Sequence, residues 1–289
     1  MSRRLAFLCL GVMGYPMAGH LSRAGNRVAV YNRTTARARA WVEEFGGEWG
    51  ATPAEAVREA DVVLLCCGDD PDVREVVLGA EGALGAMRRD ACLVDHTTAS
   101  PALARELDER ARDAGLRFLD APVSGGQSGA ETGALTIMVG GDEAVCASVS
   151  PLLDCYAKRH RWMGPAGSGQ LTKMVNQICI AGIVQGLSEA LHFAKRAGLD
   201  PQGVVDVISQ GAAQSWQMDN RAETMAEGSF EFGFAVDWMR KDLRIALDEA
   251  RRMGARLPVT ALVDQLYAAV QARGGARWDT SSLITLLED

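Results

Sequence analysis

A lysine and an asparagine stand three residues apart in a long apolar segment. Lys173 and Asn176 fall within residues 169–197, which contain no proline and few charges before Glu189. Three-residue spacing places two side chains on one face of a helix. Burying a lysine in a helix costs free energy unless the lysine is paired with an acid or takes part in function. Burial also lowers the pKa of a lysine into a range suited to proton transfer at neutral pH. The alternative is that Lys173 faces solvent in the first turns.

A glycine-rich segment could hold a carboxylate. Residues 120–126 read Asp-Ala-Pro-Val-Ser-Gly-Gly, and further glycines follow at Gly129 and Gly133. Such a loop after a strand exposes backbone N–H groups beside the Ser124 hydroxyl, and this concavity suits an anion. Ser124, Gly125 and Gly126 are therefore candidate substrate-binding residues, although the segment alone is also compatible with an ordinary turn.

A second glycine pattern could hold a dinucleotide. Residues 9–14 read Cys-Leu-Gly-Val-Met-Gly, which is G-x-G-x-x-G with Cys9 in the first glycine position. In that pattern glycines permit a tight turn and let a pyrophosphate approach the N-terminus of the following helix. The flanking sequence has the required strand before and helix after, so the candidate cofactor-binding residues are Gly11, Val12, Met13 and Gly14. The alternative is an ordinary glycine-rich turn.

The end of the next strand indicates which dinucleotide binds. It reads Tyr31-Asn32-Arg33-Thr34, where an NAD site usually has an acidic residue for the ribose hydroxyls. Arg33 can pair with a 2′-phosphate, and Asn32 and Thr34 can donate hydrogen bonds to it. An acidic side chain would repel that phosphate, so the sequence favours NADP(H). The alternative is that Arg33 is an exposed loop residue.

The elements that must position these residues alternate along the first half of the chain. Short apolar runs predict strands, amphipathic segments between them predict helices, and their alternation predicts βαβ units with a parallel sheet. The predicted strands are 5–10, 27–31, 62–66, 92–95, 117–119 and 134–139. The predicted helices are 13–24, 35–45, 53–59 and 100–114.

The second half changes character after Gly164. The segment 169–197 predicts a helix of about 40 Å at 1.5 Å per residue, and its apolar residues cover most of its circumference, which predicts burial. Further helices are predicted at 201–210, 238–253 and 258–273. The predicted fold is α/β, with an N-terminal Rossmann-type doubly wound parallel sheet (1–164) and a C-terminal all-helical domain (165–289).

Composition narrows the possible functions. The net charge of −7 and the pI of about 5.3 give no basic footprint for nucleic acid, and the short basic run 158–161 is interpreted as a solvated loop. Seven cysteines without C-x-x-C spacing indicate buried free thiols in a reducing compartment, so we expect a cytoplasmic protein. Four scattered histidines predict no metal site, and no segment is long and apolar enough to indicate a membrane span.

Three segments in this order and spacing strongly resemble the β-hydroxyacid dehydrogenase family. They are the Asp-Ala-Pro-Val-Ser-Gly-Gly motif, residues 164–176 around Lys173, and Arg240-Lys241-Asp242-Leu243. Members of that family include 3-hydroxyisobutyrate dehydrogenases and tartronate and glyoxylate/succinic semialdehyde reductases. The resemblance extends from Leu8 to Leu243.

The resemblance implies a role for each matching residue. It implies that Lys173 is the catalytic proton donor, that Asn176 positions substrate, and that Ser124 with its two glycines holds the substrate carboxylate. It also implies that Thr98 and Lys241 contact the cofactor. The implied reaction interconverts a small carboxylic acid semialdehyde and its hydroxyacid with NADP(H). Cys9 departs from the family's glycine, and this puts the strength of cofactor binding in doubt.

Other functions remain open from the sequence. An imine reductase on the same scaffold usually has another residue at the lysine position, so Lys173 favours the hydroxyacid reaction. A non-catalytic NADPH-binding scaffold or sensor would be expected to have lost that lysine. Trp216 and Met218 are predicted either to shape the substrate pocket or to lie in the core. The apolar circumference of the long helix predicts a homodimer or homotetramer.

Overall fold

Short apolar strands form a mostly parallel sheet in the computed structural model, which describes residues 3–288. Within that range the strands are β1 (Arg4–Leu8), β2 (Arg27–Tyr31), β3 (Glu48–Trp49), β4 (Val62–Leu65), β5 (Cys92–Asp95), β6 (Arg117–Asp120), β7 (Val123–Ser124), β8 (Leu135–Gly141) and β9 (Ala157–Gly164). Their order is β3-β2-β1-β4-β5-β6-β8-β7, with β9 paired to β8. Strands β1 to β6 pair in parallel, whereas β8 runs antiparallel to β6 and β7.

The order of the strands creates a switch point between β1 and β4. From β1 the chain proceeds to β2 and β3 on one side, and from β4 it proceeds to β5 and β6 on the other. In open α/β sheets, ligands bind outside the carboxyl ends of the strands at such a point. The predicted Rossmann-type fold is therefore confirmed, and its switch point lies where the cysteine-containing glycine turn follows β1.

Helices cover both faces of this sheet. They are α1 (Gly14–Arg23), α2 (Thr35–Phe45), α3 (Pro53–Val57), α4 (Asp70–Leu78), α5 (Pro101–Asp113), α6 (Gly126–Glu131) and α7 (Glu143–Leu153), with a 3₁₀ turn at Leu84–Ala86. Alternate residues of β1 enter different cores, since Leu5 and Phe7 pack on one face while Ala6 and Leu8 pack on the other. Burial on both faces explains why the strand sequences are continuously apolar.

A helical unit follows the sheet. It contains most of α8 (Ser168–Arg196) and all of α9 (Pro201–Ile208), α10 (Trp216–Glu227), α11 (Val236–Met253) and α12 (Pro258–Ala272), with 3₁₀ turns at Gly275–Arg277 and Thr280–Leu286. Its main core joins α8, α11 and α12 through Val184, Leu243 and Tyr267. Helices α4, α6, α7 and α10 were not predicted from the sequence.

The boundary between the two compact units of the chain lies between Lys173 and Met174, nine residues after the predicted boundary at 164. The first turns of α8 belong to the sheet unit because Asp120 accepts hydrogen bonds from Gly167 N and Gln170 N, each at 2.8 Å. The Gln170 side chain in turn donates to Thr97 O at 2.7 Å and accepts from Ala99 N at 3.1 Å.

Three predictions about burial and local structure are wrong. The basic run 158–161 lies in β9 rather than in a loop, and its charges are tolerated because β9 is an exposed edge strand. Only Cys92 and Cys146 are fully buried, while Cys179 is exposed. Helix α8 is buried on one side only, because Val175 and Ile183 are 60% and 39% exposed.

Helix α8 also meets the length and hydropathy expected of a membrane-crossing helix. It has 29 residues, and its most apolar window has a mean hydropathy of 1.2. The expectation that no segment reaches these values is therefore wrong for α8. Core helices meet the same criterion, so the finding by itself is weak evidence for a membrane span.

Candidate active site

The turn between β1 and α1 has the geometry of a dinucleotide site. Gly14 opens α1, and a Cβ atom there would collide with the Cys9 carbonyl oxygen and the Phe7 ring, so this glycine allows the helix to pack closely on the strand. Gly11 differs, since a Cβ atom there would meet nothing within 4 Å. No side chain caps the N-terminus of α1 at Met13. The turn therefore leaves open space beside backbone N–H groups, which fits a pyrophosphate.

The end of β2 shapes this turn and presents an arginine. Leu10 N donates to the Asn32 side-chain oxygen at 2.9 Å, and the Asn32 amide donates to Thr34 O at 3.1 Å. Asn32 therefore supports the backbone of the turn. The Arg33 side chain is 91% exposed, with Asp72 4.0 Å away, and Thr34 is exposed beside it. An exposed guanidinium with one distant acidic neighbour is available to a phosphate.

Arg37, on the first turn of α2, also reaches the turn and was missed by the sequence analysis. Its Nε donates to the Leu10 carbonyl oxygen, and its guanidinium lies 5.1 Å from the centre of the Tyr15 ring. The sequence offered only a basic residue early in a helix, whose direction depends on the tertiary fold.

Two buried groups lie at the carboxyl end of β5, with Asp95 as its last residue and His96 directly after it. Burial raises the pKa of the Asp95 carboxyl to about 7, although Thr97 opposes this by donating hydrogen bonds to it. Burial lowers the pKa of His96 to about 4, and its ring nitrogens lie 2.7 Å from Ala121 O and 2.9 Å from the Tyr156 hydroxyl. These contacts fix the segment that carries Thr98, which is half-buried.

The candidate carboxylate loop follows β6. Ser124 ends β7, where it pairs with Thr136 of β8 and is half-buried. Gly125 and Gly126 have φ angles of 130° and 60°, a region that side-chain-bearing residues rarely adopt. Both glycines are exposed, so the loop presents its backbone to solvent beside the Ser124 hydroxyl. This arrangement can accept an anion.

Lys173 is only 7% exposed. The alternative that it faces solvent is therefore wrong, and its ammonium group is the kind of buried charge that functional sites use. Lys173 and Asn176 both lie on α8, three residues apart, and Asn176 is half-buried.

In the helical unit a chain of side chains connects Asn176 to Lys241. The Asn176 amide donates to Gln177 Oε1 at 2.7 Å, and Gln177 Nε2 donates to Asp242 Oδ2 at 2.6 Å. Lys241 Nζ lies 3.2 Å from Asp242 Oδ1. Gln177 was not predicted from the sequence, where its only signal was its place beside Asn176, and Asp242 had no predicted role.

Trp216 lies elsewhere in the helical unit. It opens α10, is 52% exposed, and its ring lies 4.9 Å from the Arg221 guanidinium. Met218, two residues on, is buried at 6% exposure. Met218 is therefore a core residue, whereas Trp216 is not. Among residues 3–288, no group of three or more metal-ligating side chains lies close enough to hold a metal ion.

Known proteins resemble the chain along its whole length. Residues 4–164 match the NAD-binding domain of 6-phosphogluconate dehydrogenase, and residues 167–287 match the NAD-binding model of NADP-dependent 3-hydroxyisobutyrate dehydrogenase. An uncharacterized oxidoreductase of Shewanella frigidimarina is 60% identical, with 99% of this chain and 98% of the relative covered. The 2-hydroxy-3-oxopropionate reductase of Escherichia coli is 36% identical, with 99% and 97% covered.

A solved structure agrees with these matches. The 3-hydroxyisobutyrate dehydrogenase of Mycobacterium tuberculosis, determined with L-serine, superposes with a TM-score of 0.90 at 32% identity and full coverage of both chains. Fold and sequence together define an NAD(P)-binding oxidoreductase. The chain belongs to the β-hydroxyacid dehydrogenase family, and its membership supports an NAD(P)-dependent hydroxyacid dehydrogenase activity.

Proposed function

We propose that the chain interconverts a small carboxylic acid semialdehyde and its hydroxyacid with NADP(H), and that Lys173 transfers the proton. The observation that carries the proposal is the burial of Lys173 at 7% exposure on the first turns of α8. The Escherichia coli relative is named a reductase of 2-hydroxy-3-oxopropionate, which is itself a three-carbon semialdehyde. We therefore propose a substrate of about two to four carbons, on family analogy.

The chain's own residues have separable roles in this reaction. Ser124 and the N–H groups of Gly125 and Gly126 hold the substrate carboxylate. The Lys173 ammonium donates a proton to the carbonyl oxygen as negative charge develops there, and the neutral amine accepts the hydroxyl proton in the reverse direction. Asn176, on the same helix, orients the reacting oxygen.

The residues around the β1–α1 turn fit the cofactor. We propose that Gly11 to Gly14 hold its pyrophosphate, that Arg33, Asn32 and Thr34 hold its 2′-phosphate, and that Thr98 and Lys241 contact it. When bound, the nicotinamide supplies or accepts the hydride at the substrate carbon. The open space at Gly11, the exposed Arg33 and the match to a model of an NADP-dependent enzyme support this assignment.

The first experiment follows NADPH oxidation with glyoxylate and with succinic, methylmalonic and tartronate semialdehydes. We expect Lys173→Ala to lower kcat by about 10²–10⁴-fold, the scale of general acid catalysis. Lys173→Arg keeps the charge but not the proton transfer, because arginine stays protonated, and should be similarly impaired. Lys158→Ala, an exposed lysine on β9, is the matched control and should behave as the unmodified protein.

Two outcomes would contradict the proposal. Retention of full activity by Lys173→Ala would remove Lys173 from the chemistry. NADPH binding without turnover of any member of the panel would remove the semialdehyde assignment; turnover of cyclic imines would then indicate an imine reductase, and no turnover at all a non-catalytic NADPH-binding protein.

The preference for NADP(H) is tested at Arg33. Arg33→Gln removes a charge-assisted contact worth about 1.5–3 kcal/mol, so kcat/KM for NADPH should fall by about tenfold or more while kcat/KM for NADH stays unchanged. Arg39→Gln is the control. Arg39 is an exposed arginine on α2, and its guanidinium lies 5.0 Å from the centre of the Trp49 ring. An equal loss with both cofactors would refute the assignment of Arg33 to the 2′-phosphate.

We also propose that the chain forms a homodimer or homotetramer through its helical unit. Large apolar side chains are exposed there, and they include Val175, Phe193, Val207 and Leu262 at 60%, 72%, 74% and 60% exposure. Where such side chains form one contiguous patch, they mark an interaction surface. Light scattering at micromolar concentration should give a multiple of the 30.9 kDa chain mass, and a monomer mass would refute the proposal.

A further inference from the structure

Two cysteine sulfurs lie side by side at the switch point of the sheet. Cys9 follows β1 and Cys67 comes two residues after the end of β4, and these strands are parallel neighbours. The Sγ atoms are 3.1 Å apart, within hydrogen-bonding distance of two thiols. Both residues are half-buried, so a small molecule such as a peroxide can reach the pair more readily than it can reach the buried Cys92 or Cys146.

Cys9 has an unusual backbone conformation. Its φ angle is 71°, and among residues 3–288 the only other residue with a side chain and a positive φ is Asp90. This region is disfavoured for residues with a Cβ atom. The Cys9 backbone is held by a hydrogen bond from its N–H to Tyr31 O at 2.9 Å. A glycine would satisfy the same backbone without strain, so the fold of the turn does not account for the thiol.

Cys67 is held in place and kept protonated. Its N–H donates to Thr97 Oγ1 at 2.9 Å, which anchors the end of β4 to the segment after β5. The hydrogen bond with Cys9, followed by burial, raises the pKa of the Cys67 thiol well above its ordinary value. We assign the first attack to Cys9, because it lies in the β1–α1 turn two residues before the open space at Gly11, where a small oxidant has room to approach.

We propose that Cys9 and Cys67 are an oxidative modification site, which closes to a reversible disulfide with hydrogen peroxide and thereby weakens binding of the nicotinamide dinucleotide. The Cys9 sulfur attacks one peroxide oxygen, the O–O bond breaks, and sulfenic acid and water form. The Cys67 sulfur then attacks the Cys9 sulfur and displaces hydroxide, which takes the Cys67 proton and leaves as water. Two thiols are oxidised and one peroxide is reduced to two waters. A dithiol reductant reverses the change by exchange.

The effect on the dinucleotide follows from the position of the bond. Closing the pair requires the sulfurs to approach by about 1 Å, to a bond length of about 2.05 Å. The Cys9 carbonyl oxygen lies against Gly14 at the start of α1, so a shift of Cys9 displaces the turn proposed to hold the pyrophosphate. This step rests on the proposed cofactor site. By linkage, bound NADPH should in turn slow formation of the disulfide.

The test uses the full chain treated with hydrogen peroxide, with and without NADPH. Mass spectrometry of the intact chain should show the loss of two hydrogen atoms, and digestion should give a linked peptide pair containing Cys9 and Cys67. Titration of NADPH fluorescence should show an affinity lowered about tenfold or more, which is about 1.4 kcal/mol, and dithiothreitol should restore it. Saturating NADPH present during oxidation should protect the pair.

Three variants make the assignment specific. Cys9→Gly restores the residue suited to a positive φ, and Cys67→Ser keeps the hydrogen-bonding capacity at the second position. Each should bind NADPH equally before and after peroxide. Cys155→Ser changes a half-buried cysteine of the same unit and should keep the sensitivity of the unmodified protein.

The outcomes separate this inference from the proposed function. Peroxide that leaves both thiols reduced, or converts Cys9 to sulfinic acid without the linked peptide, overturns the inference. A disulfide that forms while NADPH affinity is unchanged overturns its link to the cofactor. None of these readouts depends on turnover, so failure of the semialdehyde assignment leaves them interpretable.

Discussion

The two units of the molecule hold their buried carboxylates in different ways. In the sheet unit, Asp120 accepts backbone N–H groups of the α8 N-terminal turn, and Asp95 accepts Thr97 N at 2.8 Å. In the helical unit, buried acids lie beside cations: Arg221 contacts Asp279 at 3.1 Å, Arg240 contacts Asp264 at 3.0 Å, and Lys241 contacts Asp242.

The difference follows from what each architecture supplies. Strand ends and helix starts leave backbone N–H groups without partners, and a doubly wound sheet gathers many of them at one edge. Packed helices satisfy most of their own backbone N–H groups, so a carboxylate buried among them lies beside a cationic side chain. Backbone N–H groups carry no net positive charge, so they do not neutralise a buried carboxylate. Burial therefore raises the pKa values of both Asp95 and Asp120.

The largest expected effect is a pH-dependent stability of the sheet unit. The pKa of Asp95 rises from 3.8 in the unfolded chain to about 7 in the fold, so between these values the folded state keeps a proton that the unfolded state has lost. Stability therefore falls as pH rises from about 4 to 7, by up to about 4 kcal/mol at about 1.4 kcal/mol per pKa unit.

Asp95→Asn tests this directly. Urea unfolding of the variant and of the unmodified protein at pH 5 and pH 8 should show that the variant gains relative stability as pH rises. Comparing the two proteins cancels the opposite trend from His96, whose lowered pKa costs stability as pH falls from about 6.5 to 4. A difference between the two proteins that does not change with pH would contradict the raised pKa of Asp95.

The next effect concerns the helical unit. Arg221→Met leaves Asp279, which is 1% exposed, without its cation, and breaking such a pair costs about 3 kcal/mol. Arg251→Met breaks an exposed ion pair with Asp248 and should cost under about 1 kcal/mol. Chemical denaturation measures both. Equal losses would show that the cation is unimportant and that the hydrogen bonds from Phe234 N and Ser281 N suffice for Asp279.

The smallest expected effect separates stability from binding at the β1–α1 turn. Gly14→Ala forces a Cβ against the Cys9 carbonyl and should destabilise the fold by about 1–3 kcal/mol. Gly11→Ala meets open space, so unfolding should change by under about 0.5 kcal/mol while NADPH affinity falls. If Gly11→Ala binds NADPH normally, the pyrophosphate does not occupy that space.

The parts predicted correctly from sequence are those with a local signal. The alternation of apolar runs and amphipathic segments predicted the parallel sheet, and the residue types at positions 11 and 14 predicted the turn at its switch point. The basic run of β9 was wrongly interpreted as a loop, because charged side chains are tolerated on an edge strand and the sequence does not show which strand lies at an edge. Helix α8 was wrongly predicted to be buried throughout, because its apolar circumference does not show which face meets a neighbour.

By itself, the sequence determined the backbone plan: strands and helices in order, glycines where φ is positive or a helix approaches closely, and a lysine in an apolar segment. These depend on residues near one another in the chain. Only the tertiary structure decided that Lys173 is buried, that Gln177 connects Asn176 to Asp242, and that Cys9 and Cys67 lie 3.1 Å apart. Cys9 and Cys67 are separated by 58 residues, and no local pattern encodes their contact, because it arises from the pairing of β1 with β4 in the folded sheet.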